Sequence, residues 1–114
     1  MTTAVVEVLA SKQSLSMPRT CLLEKMQEVN FGRIHQIEVR DGEPAFTLTT
    51  RIERHIKFGG ENRPRPESGL DDFTLKRNVI ELFETFERLG NGTIKQLEIK
   101  GGLPFGMIIE EQAV

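Results

Sequence analysis

Two stretches of this chain repeat one another. Sliding the sequence by sixty residues lays Leu22 to Pro44 over Leu82 to Pro104 without a gap. Leu22, Glu24, Gly32, Ile34, Gln36, Glu38, Gly42 and Pro44 recur unchanged as Leu82, Glu84, Gly92, Ile94, Gln96, Glu98, Gly102 and Pro104. Apolar character is kept at Met26 and Phe86, Val29 and Leu89, Ile37 and Leu97, and Val39 and Ile99. Two unrelated amphipathic segments would share apolar spacing but not glycines and prolines. Such self-similarity marks supersecondary units that bury a core only together. A chain of 114 residues supports one modest core, so both repeats must share it. We divide 1–114 as a single domain, with the first repeat about 16–58, a loop 59–72 and the second repeat about 73–110.

Each repeat opens with a helical pattern. In the first, Ser16 is placed to cap, Pro18 suits the first turn, and Leu22, Met26 and Val29 recur at helical spacing until Gly32 ends the pattern. In the second, from about Thr74, Leu75, Val79, Leu82, Phe83, Phe86 and Leu89 form a wide stripe that stops at Gly90-Asn91-Gly92. These stripes read as core.

A hairpin follows each helix. Asp41-Gly42 is a type I′ turn signal that pairs Arg40 with Glu43, Val39 with Pro44, Ile37 with Phe46 and His35 with Leu48. Continued alternation would put Phe46, Leu48, Ile52, Ile56 and Phe58 on the core face and Thr47, Thr49, Arg51, Glu53, His55 and Lys57 in water. Pro44, with no N–H to give, belongs at an unpaired edge. In the second hairpin a two-residue Gly101-Gly102 loop turns Phe105, Met107 and Ile109 away from Leu97 and Ile99, whereas a loop one residue longer returns them to the core. Ala4–Leu9 has the composition of a short edge strand. The expected fold is α+β: a tandem αββ repeat forming a four-stranded antiparallel sheet, two helices on one face and a pseudo-twofold between the halves.

Phe31-Gly32, Ile34, Val39, Asp41-Gly42 and Arg51-Ile52-Glu53-Arg54 together resemble the short YezD-like domains of bacteria. The resemblance covers Leu22 to Phe58, with an echo in the second repeat, so the chain looks like two such domains in tandem. It implies a small helix-plus-sheet module of uncharacterised function and carries no catalytic residue across. This chain has one residue more between Gly32 and Asp41 than the family pattern, which fits a bulge.

Composition narrows the function classes. The net charge of −2 gives no global attraction to nucleic acid or an anionic membrane, so nucleic acid is not favoured as a partner. No run approaches the roughly 20 apolar residues of a membrane span, and Met1 to Ala10 lacks a basic leader, so the chain reads as cytoplasmic. Cys21, the only cysteine, excludes an intramolecular disulfide. The hairpin register does not bring His35 and His55 opposite each other, and neither has a neighbour at metal-ligand spacing, so no metal site, cofactor or catalytic residue is assigned. Glu38 and Glu98 recur equivalently but read as solvated sheet positions.

Two leads remain. Arg51, Arg54, His55, Lys57, Arg63 and Arg65 concentrate positive charge where an anionic ligand could bind, with Arg54 expected at least partly buried on the core face and paired with a helix carboxylate or a ligand. Phe105, Met107 and Ile109, if turned outward, would make an interface for a homo-oligomer. The leading expectation is a non-enzymatic binding or assembly module that self-associates through a sheet edge or that apolar segment, ahead of an anionic-ligand or nucleic-acid binder. An enzyme ranks last.

Overall fold

The computed structural model describes residues 15–59, 76–111 and 113. Ala4–Leu9, Thr74, Leu75, Arg63 and Arg65 lie outside the described residues. In chain order the elements are α1 (Met17–Val29), β1 (Phe31–Arg40), β2 (Glu43–Ala45), β3 (Arg51–Arg54), α2 (Arg77–Leu89), β4 (Gly92–Lys100) and β5 (Leu103–Glu110).

The sixty-residue offset holds in three dimensions. α2 occupies the residues equivalent to α1, and the two-residue turns of both hairpins coincide. Helix α1 starts at Ser16, whose Oγ accepts from the Arg19 N–H (3.4 Å), and Pro18 sits in the first turn, where no intrahelical N–H is needed. Both helices end on a residue with positive φ, Asn30 (65°) and Gly90 (72°), whose N–H closes the last turn onto Met26 O and Phe86 O. The caps then cross over. Gly42 N–H donates to Gly90 O (2.8 Å), and Gly102 N–H donates to Asn30 O (2.9 Å). Each hairpin turn thus satisfies a carbonyl at the end of the other repeat's helix.

The sheet is antiparallel, in the order β2-β1-β4-β5, with β3 also paired to β1. Because β4 takes one side of β1 along its length, β2 and β3 share the other, so five strands fill four positions. The central β1–β4 register runs from Phe31↔Lys100 to Val39↔Gly92. Its midpoint, between His35 and Gln36 on β1 and between Lys95 and Gln96 on β4, is where the pseudo-twofold passes. Ile34, Ile37, Val39, Ile94, Leu97 and Ile99 meet Leu22, Leu23, Met26, Val29, Val79, Leu82, Phe83 and Phe86 in one buried core.

Ile34 and Ile37 are three residues apart yet both wholly buried. Gln36 makes this possible by adopting a left-handed backbone (φ 62°), which resets the alternation.

Two expectations need correction. The Asp41-Gly42 turn pairs Arg40 with Glu43 and Val39 with Pro44 as expected, but Ile37 does not meet Phe46, nor His35 Leu48. The chain leaves the sheet after Ala45, and β3 rejoins with His35↔Arg51 and Ile34↔Ile52. Threonines build the detour. Thr47 N–H donates to Thr50 Oγ1 (2.8 Å), Thr50 N–H to Thr47 O (3.0 Å), and Thr50 Oγ1 to Gln36 O (2.7 Å), the carbonyl of the left-handed residue in β1. The apolar residues expected in the core accordingly stand in water: Phe46, Leu48, Ile52, Ile56 and Phe58 are all exposed, Leu48 and Phe58 almost completely.

In the second hairpin the loop keeps two residues, with Lys100↔Leu103, yet Met107 and Ile109 pack against the core. Phe105 is an extra residue between the pairs Ile99↔Pro104 and Glu98↔Gly106, and this bulge moves the register by one. The expected outward triad of Phe105, Met107 and Ile109 does not exist as a patch: of the three only Phe105 is exposed, its ring 4.3 Å from Lys100 Nζ.

Candidate functional site: the open sheet face and its outer edge

The pairings order the face away from the helices into rows. Glu53, Arg33, Glu98 and Gly106 lie across β3, β1, β4 and β5, and Arg51, His35, Gln96 and Ile108 form the next row. Glu53 is the hub. Arg33 Nη1 donates to its Oε2 (2.6 Å), and His35 and His55, each with Nε2 protonated, donate to Oε1 (3.2 Å) and Oε2 (3.3 Å). Arg33 Nη2 also lies 3.9 Å from Glu98 Oε2. Hydrogen bonds from His35 first, then Arg33 and His55, hold the Glu53 carboxyl below the usual carboxylate range, against a small opposing effect of desolvation.

This arrangement divides the expected basic cluster. Arg51 and His55 stand on the open face beside Glu53, which already engages His55. Arg54 leaves it: alternation carries the side chain to the helix side, where its Nη2 pairs with Glu28 of α1 at 3.5 Å. Partial burial and a helix carboxylate were both expected; the carboxylate is Glu28, and the Arg54 side chain is 45% exposed. Lys57 is exposed beyond the end of β3. Arg51 and His55 thus lie on one face of the sheet and Arg54 on the other, so these described members of the cluster do not converge on one anion.

Sequence reasoning read Glu53 as an interleaved charge; its role as hub follows from the three-residue detour in register, which composition did not reveal. Arg19 was missed altogether. Its side chain is buried on α1, donates from Nη2 to Gly42 O (3.1 Å) and Glu87 Oε1 (3.2 Å), approaches Glu43 with Nε (3.6 Å) and covers the Phe83 ring (5.5 Å). The signal was present, because Arg19 stands in the helical stripe between Leu15 and Leu22.

Two shallow grooves separate each helix from its outer strand, at equivalent places in the repeats. One runs past Pro18, Cys21, Pro44 and Phe46, and the other past Asn78, Glu81, Pro104 and Gly106. Among the described residues no group of three or more His, Cys, Asp or Glu is placed to hold a metal ion, and no helix is long and apolar enough to cross a membrane.

No family model matches the chain, nor does any curated protein or solved structure. The likeness to YezD-like domains therefore rests on the residues that suggested it.

The outer edge of the first repeat stands apart from the rest of the surface. Gly32 (φ 155°) lies so close to β3 that a Cβ there would overlap the Glu53 carbonyl oxygen, which points towards β1. His55 N–H donates to Phe31 O (2.8 Å), so Arg33–Glu53 and His35–Arg51 are the hydrogen-bonded pairs of this ladder. The N–H and C=O of Ile52 are directed the other way, where no described strand lies.

Proposed function

We propose that this chain is a non-enzymatic assembly module that associates with a second molecule of itself through the outer edge of its first repeat. One observation carries the reading. Phe46, Leu48, Ile52, Ile56 and Phe58 are each at least 42% exposed and fall within the thirteen residues that form this edge and its detour. A concentration of large apolar side chains beside an unpaired strand is what a small domain ordinarily covers. Burying one such side chain fully is worth about 1.5–3 kcal/mol before the costs of association. The edge replaces the C-terminal segment as the interface, since Met107 and Ile109 are engaged in the core.

Sedimentation velocity over a range of concentrations tests the proposal. A dimer that persists at high salt is expected, and joint replacement of Ile56 by Asp and Phe58 by Ser should give a folded monomer. A wild-type monomer at high concentration would sink the assembly reading. The alternative, an anionic-ligand or nucleic-acid binder, draws support from Arg51 and His55, and the Glu53 carboxylate between the cations counts against it. Salt-sensitive retardation of nucleic acid would favour that alternative.

A further inference from the structure

We infer that two molecules join β3 to β3 in an antiparallel pair centred on Ile52, so that the sheet continues across the dimer axis. This rests on the assembly reading above and specifies its geometry. The free N–H and C=O of Ile52 would bond to the same groups of the partner, as the hydrogen-bonded pair of an antiparallel ladder requires.

Charge selects this register over its neighbours. With Ile52 opposite Ile52 of the partner subunit, Arg51 faces the partner's Glu53, and Glu53 faces the partner's Arg51, on the open face. Moving the centre to Glu53 would oppose two carboxylates and set Ile52 against Arg54. A centre between Ile52 and Glu53 would oppose the outward N–H and C=O of Ile52 to those of Glu53, which are turned to β1, so no ladder could form. Only the Ile52 centre pairs apolar with apolar and cation with anion on the two faces of the sheet. Phe46 and Leu48 before β3, and Ile56 and Phe58 after it, add exposed apolar side chains at both ends of this short strand.

Three variants read the pairing. R51E replaces two attractions by two repulsions and should weaken the dimer about tenfold or more, and E53R should do the same. Mixed together they should form a heterodimer, because every cross-strand pair is then again opposite in charge. Ile52→Pro removes an N–H that β1 does not use, so the domain should keep its circular dichroism while the dimer dissociates. If E53R fails to fold, R51E and I52P decide the matter. A wild-type monomer overturns the pairing and the assembly reading together. A wild-type dimer unaffected by R51E and I52P overturns the pairing alone and leaves assembly to another surface.

Discussion

Arg19 joins both helices and one hairpin turn through a single buried guanidinium. Its counterpart in the second repeat is Val79, and the counterpart of its partner Glu87 is Gln27. The symmetric locus is thus neutral where this one is charged. Arg19→Val should cost about 1–3 kcal/mol, because it strips the Gly42 carbonyl and the half-exposed Glu87 of a charged donor. Adding Glu87→Gln, which copies the second locus, should recover part of that loss in urea unfolding. Equal destabilisation of the single and double variants would assign the cost to lost packing instead. Glu53 makes a pH-dependent contribution of defined sign. Its carboxyl is held below the usual carboxylate range when folded, so the native state binds this proton less readily than the unfolded chain. The stabilisation is full above the ordinary carboxylate pKa and is lost as pH falls through the depressed folded value. Glu53→Gln should therefore flatten the acid limb of stability against pH while leaving its shape above neutrality unchanged.

At the level of elements, the departures from regular alternation decide which side chains meet water. Gln36 resets the alternation of β1 without changing its register against β4, Phe105 displaces β5 by one residue, and the threonine detour displaces β3 by three. Deleting Phe105 should remove the bulge and leave Ile99↔Pro104, Glu98↔Gly106 and Leu97↔Met107 in place, so Met107 stays in the core and the loss should fall short of the about 2–5 kcal/mol typical of a vacated apolar site. Thermal unfolding of the deletion variant against Phe105→Ala, which keeps the bulge, separates the effect of the bulge from side-chain loss. Helices, turns and the repeat were legible because glycines, prolines and helical spacing act locally. The expected Leu22, Met26, Val29, Val79, Leu82, Phe83 and Phe86 are all buried. The outer strand was not legible, since period-two counting assumes an unbroken ladder. Thr47, Thr49 and Thr50 look like ordinary strand residues until Thr50 is seen bonding to the Gln36 carbonyl across the hairpin. The same slip hid the site: it brings Glu53 opposite Arg33 and leaves Ile52 on the outer edge, neither of which follows from sequence spacing.

For the molecule as a whole, the central β1–β4 ladder is its most consequential feature. The two strands belong to different repeats, and the reciprocal caps at Gly90 and Asn30 also cross between them. The carbonyl at each helix end and one side of each inner strand are satisfied only by the other half. The nucleus of this fold must therefore close a long loop before its strongest contacts form, and the search for that closure sets the folding rate more than helix formation does. Loop-closure entropy grows only logarithmically, so doubling the length of the connection between Gly59 and Lys76 with Gly-Ser residues should lower stability by only about 0.6 kcal/mol. In stopped-flow refolding that change should fall on the folding limb and leave the unfolding rate unaltered. The joining segment acts as a tether: it holds one half of a self-complementary pair at high effective concentration for the other.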